Sequence, residues 1–392
     1  MDLLRGAMIG CGWVTQMHAE AYRRAPRAKI VAAADLSEER LAAARELLGI
    51  TESDCATDYR DLLARDEVDF VSISTNNHMH RPMVLEAARA GKHVLCEKAL
   101  ANNLRDADEM LRATESAGLK LAVYHEGAFY PENSLAKKIL TEEWGCAPRT
   151  AWSDAWAIGK WHMPAWVNVP EIAGGGILMS EGVHLAHLNR FYFGEDPIRV
   201  TALMDLIDPQ WAPVEDVAVC AFEFPSGVGS TRTSYAPAIG REETMCVPGH
   251  GIVAAEGSIE FVYPNGAEGP YSPADALLVR TKDGVRRYAL PACPDPLEKN
   301  TRAFVALIED FVDCVTGDDL PVVNGAIGRT AVEMVLAAYL SAATGRAVDL
   351  PLDPASPVYN KGVLGLVDCA SDVPSNSKFR RRGLFGFEAL PD

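Results

Sequence analysis

The sequence predicts an α/β chain in two parts: an N-terminal doubly wound parallel sheet, and a C-terminal α/β domain with an open, mainly antiparallel sheet. Three observations carry this expectation. Short apolar runs alternate with amphipathic stretches as far as residue 125. Strand-like runs then follow one another without helices between them. A glycine-rich turn joins the first apolar run to the first amphipathic stretch.

In the first part, residues 6–9, 30–34, 70–74, 93–96 and 119–124 read as strands, and 17–24, 38–48, 82–90 and 104–117 as helices. Near-continuous apolar strands alternating with helices imply a parallel sheet covered on both faces. After Pro131 the pattern changes. A helix over 132–140 leads into Trp-rich sequence, where Trp152 and Trp156 are spaced for one face of a strand packed in the core. Three glycines, 174–176, precede a helix over 177–193. Consecutive strands follow at 199–206, 217–224, 229–235, 251–255, 258–262 and 276–280, then helices at 302–315 and 327–344. The reading gives domains 1–125 and 126–350, with 351–392, rich in Pro, Ser and Gly, as an extended tail.

Composition limits the function classes. The 392 residues carry a formal net charge of -17, and phosphate-backbone binding needs clustered Lys and Arg, so nucleic acid is not expected as a partner. The one basic cluster, 378–382, reads as solvated tail. No apolar run approaches the roughly 20 residues that span a bilayer, and no charged n-region and apolar h-region open the chain. The expectation is therefore a cytoplasmic protein with no membrane partner. The nine cysteines form no CxxC pair, which fits reduced thiols.

Residues 8–15 read Met-Ile-Gly10-Cys-Gly12-Trp-Val-Thr15. This is a GxGxxT turn between a strand and a helix. Gly10 permits the tight turn and Gly12 lets backbone approach a pyrophosphate at the helix N-terminus. Trp13 and Val14 complete the turn and border the same ligand. Asp35 ends the next strand, where a carboxylate binds the ribose hydroxyls of NAD. The reading is a Rossmann domain that takes NAD in preference to NADP; Arg40, downstream on the next helix, is the residue that would meet a 2′-phosphate.

Three further segments identify a family resemblance: Ser74-Thr75-Asn76-Asn77-His78-Met79-His80, then Gly91-Lys92-His93-Val94-Leu95-Cys96-Glu97-Lys98-Ala99-Leu100, then Gly174 through His184. Together they resemble the glucose–fructose oxidoreductase/inositol dehydrogenase/MocA (Gfo/Idh/MocA) family, from about residue 5 to 350. The resemblance implies NAD or NADP as cofactor, a sugar, inositol or related ring alcohol as substrate, and self-association through the C-terminal sheet. Thr75, Asn76, Asn77 and His80 fall on the segment that borders the nicotinamide, and Glu97 and Lys98 on the Glu-Lys-Pro motif. Asn76 and Ala99 replace that pattern's prolines, and Ala128 replaces an Arg. The family's glycine motif carries an Asp and, four residues on, a His; here these are Ser180 and His184. A further Asp, three residues beyond, is His187.

Oxidising a secondary alcohol removes a proton from oxygen and a hydride from carbon. Lys98 suits the oxygen, because an ammonium stabilises developing alkoxide charge. His184 suits the proton, because imidazole titrates near neutrality. Glu181, His184 and His187 share i,i+3 spacing, but no further ligand is evident and no metal is expected. Ser180 carries no charge. In a regular helix Glu181 is rotated about 100° from it, and would reach the site only if the helix begins irregularly. The expectation is that His184 works with Lys98 alone or with His187. A loop at 160–166, with Trp161 and Trp166, then grips an apolar ring face or a bulky aglycone. The reading is an NAD(P)-dependent oxidoreductase of a sugar, polyol or related ring compound. Its alternatives are an NAD-using hydrolase or lyase that cleaves glycosides, and a non-catalytic NAD-sensing regulator.

Overall fold

Alternating strands and helices build a six-stranded parallel sheet from β1 (Leu4–Ile9), β2 (Ala28–Ala34), β3 (Cys55–Ala56), β4 (Phe70–Ile73), β5 (His93–Cys96) and β6 (Leu121–Val123), in spatial order β3-β2-β1-β4-β5-β6. The computed structural model describes residues 3–158, 165–235, 247–264 and 273–388. The linking helices are α1 (Thr15–Arg24), α2 (Glu38–Leu48), the short α3 (Arg60–Leu63), α4 (His80–Arg89) and α5 (Leu104–Ser116). Glycines that cap helices in the left-handed region end several turns; Gly49, after α2, is one.

The second sheet has nine strands: β7 (Thr150–Ile158), β8 (Arg199–Asp205), β9 (Val217–Phe224), β10 (Gly227–Tyr235), β11 (Val247–Val253), β12 (Gly257–Val262), β13 (Ala276–Thr281), β14 (Gly284–Ala289) and β15 (Val348–Asp349). Every pairing in it is antiparallel except β7 with β10. Its helices include α6 (Pro131–Lys138), α7 (Pro170–Ala173) and α8 (Val183–Phe193), and α8 packs on β7 and β10. The expected pattern of a parallel sheet followed by a mainly antiparallel one is what the structure contains.

Two compact units result, and they do not follow chain order. Helix α9 (Pro296–Thr316) comes after the second sheet, yet Leu297–Arg329 belongs to the first unit. Phe304, Leu307, Ile308, Phe311 and Val312 join Met8, Ile30, Phe70 and Leu95 in that unit's core. Linear order had put this helix with the second domain. Its apolar face is complementary to the first sheet, a choice that periodicity alone does not encode.

Three other expectations change. Helix α10 (Gly325–Thr344) is long and apolar enough to cross a membrane, contrary to the reading that no stretch approached this; 67% of that window is buried inside the protein. Trp152 is not a core residue of β7: it is 37% exposed on the sheet's outer face, above Gly251 of the neighbouring strand. The segment after residue 350 is not extended. It forms α11 (Pro357–Lys361), a 3-10 run at Gly362–Asp372 and α12 (Lys378–Arg382). The basic cluster is amphipathic: Phe379 is fully buried with its ring tilted against that of Phe385 at 5.8 Å, while Arg380 donates to the carbonyls of Ala370 and Val373. Spaced aromatics in a Gly- and Ser-rich stretch were the signal that composition obscured.

Candidate active site

The mouth of the parallel sheet is shaped mainly by backbone. β1 and β4 are neighbours where the strand order reverses, and ligands of such sheets bind beyond the carboxyl ends of the strands at that point. Gly10 follows β1 with φ +91°, and a Cβ there would stand 2.6 Å from the Ser74 carbonyl oxygen, so the turn requires glycine. A Cβ on Gly12 would meet nothing within 4 Å. Val14, at the N-cap of α1, gives no side-chain cap, and the first turn holds no acid. The positive end of this helix is thus not neutralised by its own residues, and an open cradle lies directly before it. That combination fits a dinucleotide pyrophosphate.

Asp35 is anchored beside the cradle. Its Oδ2 accepts from Cys11 N at 2.8 Å and its Oδ1 from Ser37 N at 2.9 Å. Each oxygen keeps lone-pair capacity for a ribose hydroxyl. Trp13 is 62% exposed at the turn, Val14 is half-buried, and Arg40 is exposed in the first turn of α2.

The loop after β4 presents Thr75 and Asn76 half-buried, with Asn77 buried. His80, expected to border the cofactor, is fully buried. Its Nδ1 lies 3.0 Å from Ala99 O and its Nε2 3.1 Å from Thr75 O. It braces the loop after β4 against the loop after β5, and burial lowers its pKa despite those carbonyls. Lys98 follows β5, half-buried, with a cis peptide to Ala99. Beneath it Glu97 is 9% exposed and its Oε1 lies 3.0 Å from His18 Nε2. Burial by itself raises the Glu97 carboxyl, but the His18 pair, the Lys98 charge and the Lys98 N–H outweigh it and hold the group below its ordinary value. Sequence reasoning passed over His18. Its signal was position: with Thr15, Ala19 and Tyr22 it lies on the buried face of α1.

In the second unit the glycine motif is tied down by a carboxylate that the sequence reading also missed. Glu215 is fully buried; it accepts from Gly176 N at 3.0 Å, Leu178 N at 2.9 Å and Tyr339 Oη at 2.7 Å. A Cβ on Gly176 would stand 2.2 Å from the Glu215 carbonyl oxygen, so close approach demands glycine there. Burial pushes the Glu215 carboxyl up to about 7 against these hydrogen bonds.

The helix after the glycines does begin irregularly. Leu178–Gly182 is a π-helical turn, and regular α-helix starts only at Val183. Ser180, Glu181 and His184 are all half-exposed. Ser180 Oγ lies 2.8 Å from Tyr235 Oη, and the Tyr235 ring stacks on Trp211 at 3.7 Å. Burial, and then the Glu181 charge among others, raise the Tyr235 hydroxyl. The wider turn changes the angular argument that set Glu181 aside. His187 is 2% exposed, and burial pushes it down to about 3, so it stays neutral and is a core residue rather than a second proton carrier. Trp166 is half-buried in a 3-10 turn, Ala165–Asn168; Trp161 lies outside the described residues.

Known proteins are similar to this chain along most of its length. Residues 4–125 match the model described as "Oxidoreductase family, NAD-binding Rossmann fold", and residues 148–253 match the GFO/IDH/MocA C-terminal domain. A D-apiose dehydrogenase of Paraburkholderia graminis is 30% identical, over 88% of this chain and 89% of its own length. A 1,5-anhydro-D-fructose reductase of Ensifer adhaerens is 29% identical, over 88% and 98%. Among solved structures, an oxidoreductase from Agrobacterium radiobacter in complex with NAD+, L-tartaric acid and magnesium superposes with a TM-score of 0.74 at 25% identity, covering 88% of this chain and 98% of that one.

Proposed function

The chain belongs to the Gfo/Idh/MocA family of NAD-binding oxidoreductases, and from that premise we propose that it oxidises a secondary hydroxyl of a sugar or polyol, or reduces the matching ketone. The observation that carries this reading is the mouth of the first sheet: an open cradle before α1, with Asp35 beside it and Lys98 at the end of β5. NAD, when bound, accepts the hydride; Gly10, Gly12 and the α1 terminus hold its pyrophosphate, Asp35 its ribose. Thr75, Asn76 and Asn77 shape the nicotinamide side, and Trp13 and Val14 flank the turn. Lys98 stabilises the charge that develops on the reacting oxygen, and His184 takes up its proton. Glu181, set on the π turn, supplies the carboxylate that Ser180 lacks, and Trp166 lends an apolar wall.

The test is a panel of D-apiose, 1,5-anhydro-D-fructose, an inositol and aldoses, with NAD(H) and NADP(H), read at the nicotinamide absorbance. Stoichiometric NADH formation or consumption is expected. Substrate cleavage without net NADH change would instead assign transient use of NAD, and tight NAD binding with no turnover across the panel would favour a sensor.

The compartment we assign is the cytoplasm, supported by eight described cysteines that are all free thiols. The quaternary assignment is a homo-oligomer through the outer face of the second sheet. Leu203, Val219, Val228 and Trp152 are 74%, 44%, 46% and 37% exposed on it, and Leu203 pairs directly with Val219. Leu203→Glu is expected to shift the light-scattering mass to that of a monomer; a wild-type chain already monomeric at micromolar concentration would refute the assignment.

A further inference from the structure

Behind Lys98 lies a run of buried polar groups that no role assigned so far uses. Three elements that border the cofactor mouth end on it: α1 through His18, β4 through Ser74, and β5 through Glu97. His18 Nε2 lies 3.0 Å from Glu97 Oε1, and His18 Nδ1 lies 3.2 Å from Ser74 Oγ. Glu97 Oε2 accepts the backbone N–H of Lys98 at 3.0 Å. His18 is fully buried, and Ser74 and Glu97 are each 9% exposed. The imidazole is fixed in plane: it stacks on Tyr124 at 4.1 Å and meets Phe304 edge-on at 5.0 Å. Tyr124 is held in turn, its hydroxyl 2.9 Å from both Ser72 Oγ and Tyr22 Oη.

The chemistry of the partners sets the proton positions. A neutral imidazole has one N–H and one lone pair. Nε2 is the nitrogen nearest the carboxylate, in ion-pair contact at 3.0 Å but off the line of a hydrogen bond, so it is the one to carry the proton and Nδ1 is left to accept from the Ser74 hydroxyl. This tautomer follows from the partners alone. Both Glu97 oxygens are then engaged, one by His18 and one by the N–H of the lysine itself. A packing histidine needs none of this; an apolar residue would fill the same volume at lower desolvation cost.

We propose that the Ser74–His18–Glu97 array is the positioning device for Lys98, holding the base of that side chain through its own backbone N–H and coupling it to the helix that carries the phosphate cradle. The proposal rests on Lys98 as the catalytic lysine. His18 and Ser74 act only through Glu97, so they are positioning residues. The groups that face Glu97 are His18 from α1, His80 from α4, Cys96 and Lys98 from its own strand and loop, and Tyr124 after β6. Of these, His18 and Lys98 offset the burial of its carboxyl. Without His18 the carboxyl rises, and as pH falls it takes up a proton and releases the Lys98 N–H.

The experiment compares wild type with His18→Leu, His18→Gln, Glu97→Gln and Lys98→Ala. Each is assayed on the panel substrate that turns over best, with NAD binding by calorimetry and residue-resolved hydrogen exchange alongside. His18→Leu is expected to lower kcat about ten- to a hundredfold, the scale of a small misplacement of a reacting group. NAD affinity should stay within about threefold, below the ~1.4 kcal/mol of a tenfold change. The acidic limb of its kcat–pH profile should move to higher pH. His18→Gln, whose amide reaches the Nε2 position, should recover part of the loss. Exchange at the Lys98 amide should quicken in His18→Leu and in Glu97→Gln while the Val94 and Leu95 amides stay protected. Quickening across all of β5 would show mere structural damage and overturn the proposal. So would an unmoved pH profile, or His18→Leu turning over as wild type while Lys98→Ala is inactive. An active Lys98→Ala would instead overturn the catalytic reading beneath it.

Discussion

Glu97 in the first unit and Glu215 in the second are both buried carboxylates, and each accepts backbone N–H groups beside a residue given a chemical role. Their protons nevertheless behave in opposite ways. Glu97 is held below its ordinary value, whereas Glu215 is pushed up to about 7. Burial works against ionisation in both. Glu97 is compensated by the ammonium of Lys98 as well as by His18 and a backbone N–H, whereas the described partners of Glu215 are all neutral donors, backbone amides and the Tyr339 hydroxyl. Neutral hydrogen bonds return less of the lost solvation than an opposite charge does. The first unit therefore keeps its carboxylate ionised and its lysine loop set, while the second holds its glycine motif with a group that titrates near neutrality.

Removing Lys98 is the largest perturbation of this contrast. Lys98→Ala is expected to lower kcat about 10²–10³-fold, the loss of roughly 2.7–4 kcal/mol of transition-state stabilisation. Calorimetry should show NAD binding almost unchanged. A variant that keeps more than about a tenth of wild-type turnover would take Lys98 out of the chemistry.

Glu181→Gln tests whether the second unit has a working carboxylate as well. If the π turn delivers it, the variant should lose about tenfold or more in kcat/KM, the scale of a charged hydrogen bond at about 1.5–3 kcal/mol. Adding Ser180→Asp to it should restore part of that. Equal kcat/KM in Glu181→Gln and wild type would leave His184 without a carboxylate partner at this position.

Glu215 makes the pH-dependent prediction. Its folded value of about 7 lies above the ordinary 4.5, so between these the folded chain binds more protons than the unfolded one. The associated stability is complete below the ordinary value and is lost as pH rises through about 7. Glu215→Gln removes this dependence. From about pH 5 to about pH 8 the wild type should lose about 1–3 kcal/mol more stability than the variant. Parallel melting curves for the two chains would mean that Glu215 is ionised throughout, and the contrast with Glu97 would fail.

Asp35→Ala has the smallest expected effect. NAD affinity should fall about tenfold, roughly the ~1.5 kcal/mol of a charged hydrogen bond, with NADP affected less. A larger loss for NADP would reverse the cofactor preference.

The sequence by itself determined the elements whose causes are short-range. The strand–turn–helix from β1 to α1 is written in adjacent residues, because Gly10 must turn and Gly12 must leave space, and Asp35 directly follows the next strand. The alternation of apolar runs likewise told the parallel sheet from the antiparallel one. Even the weakness of the second site was legible: with Ser180 in place of a carboxylate, the position of Glu181 depended on an irregular helix start. Only the tertiary structure decided that the start is a π turn, that His187 is core, and that the tail packs through Phe379 and Phe385. It also decided which unit α9 completes. The two carboxylate clamps belong to this second class. His18 meets Ser74 across 56 residues, and Glu215 meets Gly176 across 39. No local period or turn signal specifies such pairs. They form because each polar group, once folding removes its water, needs a partner wherever the packed chain brings one.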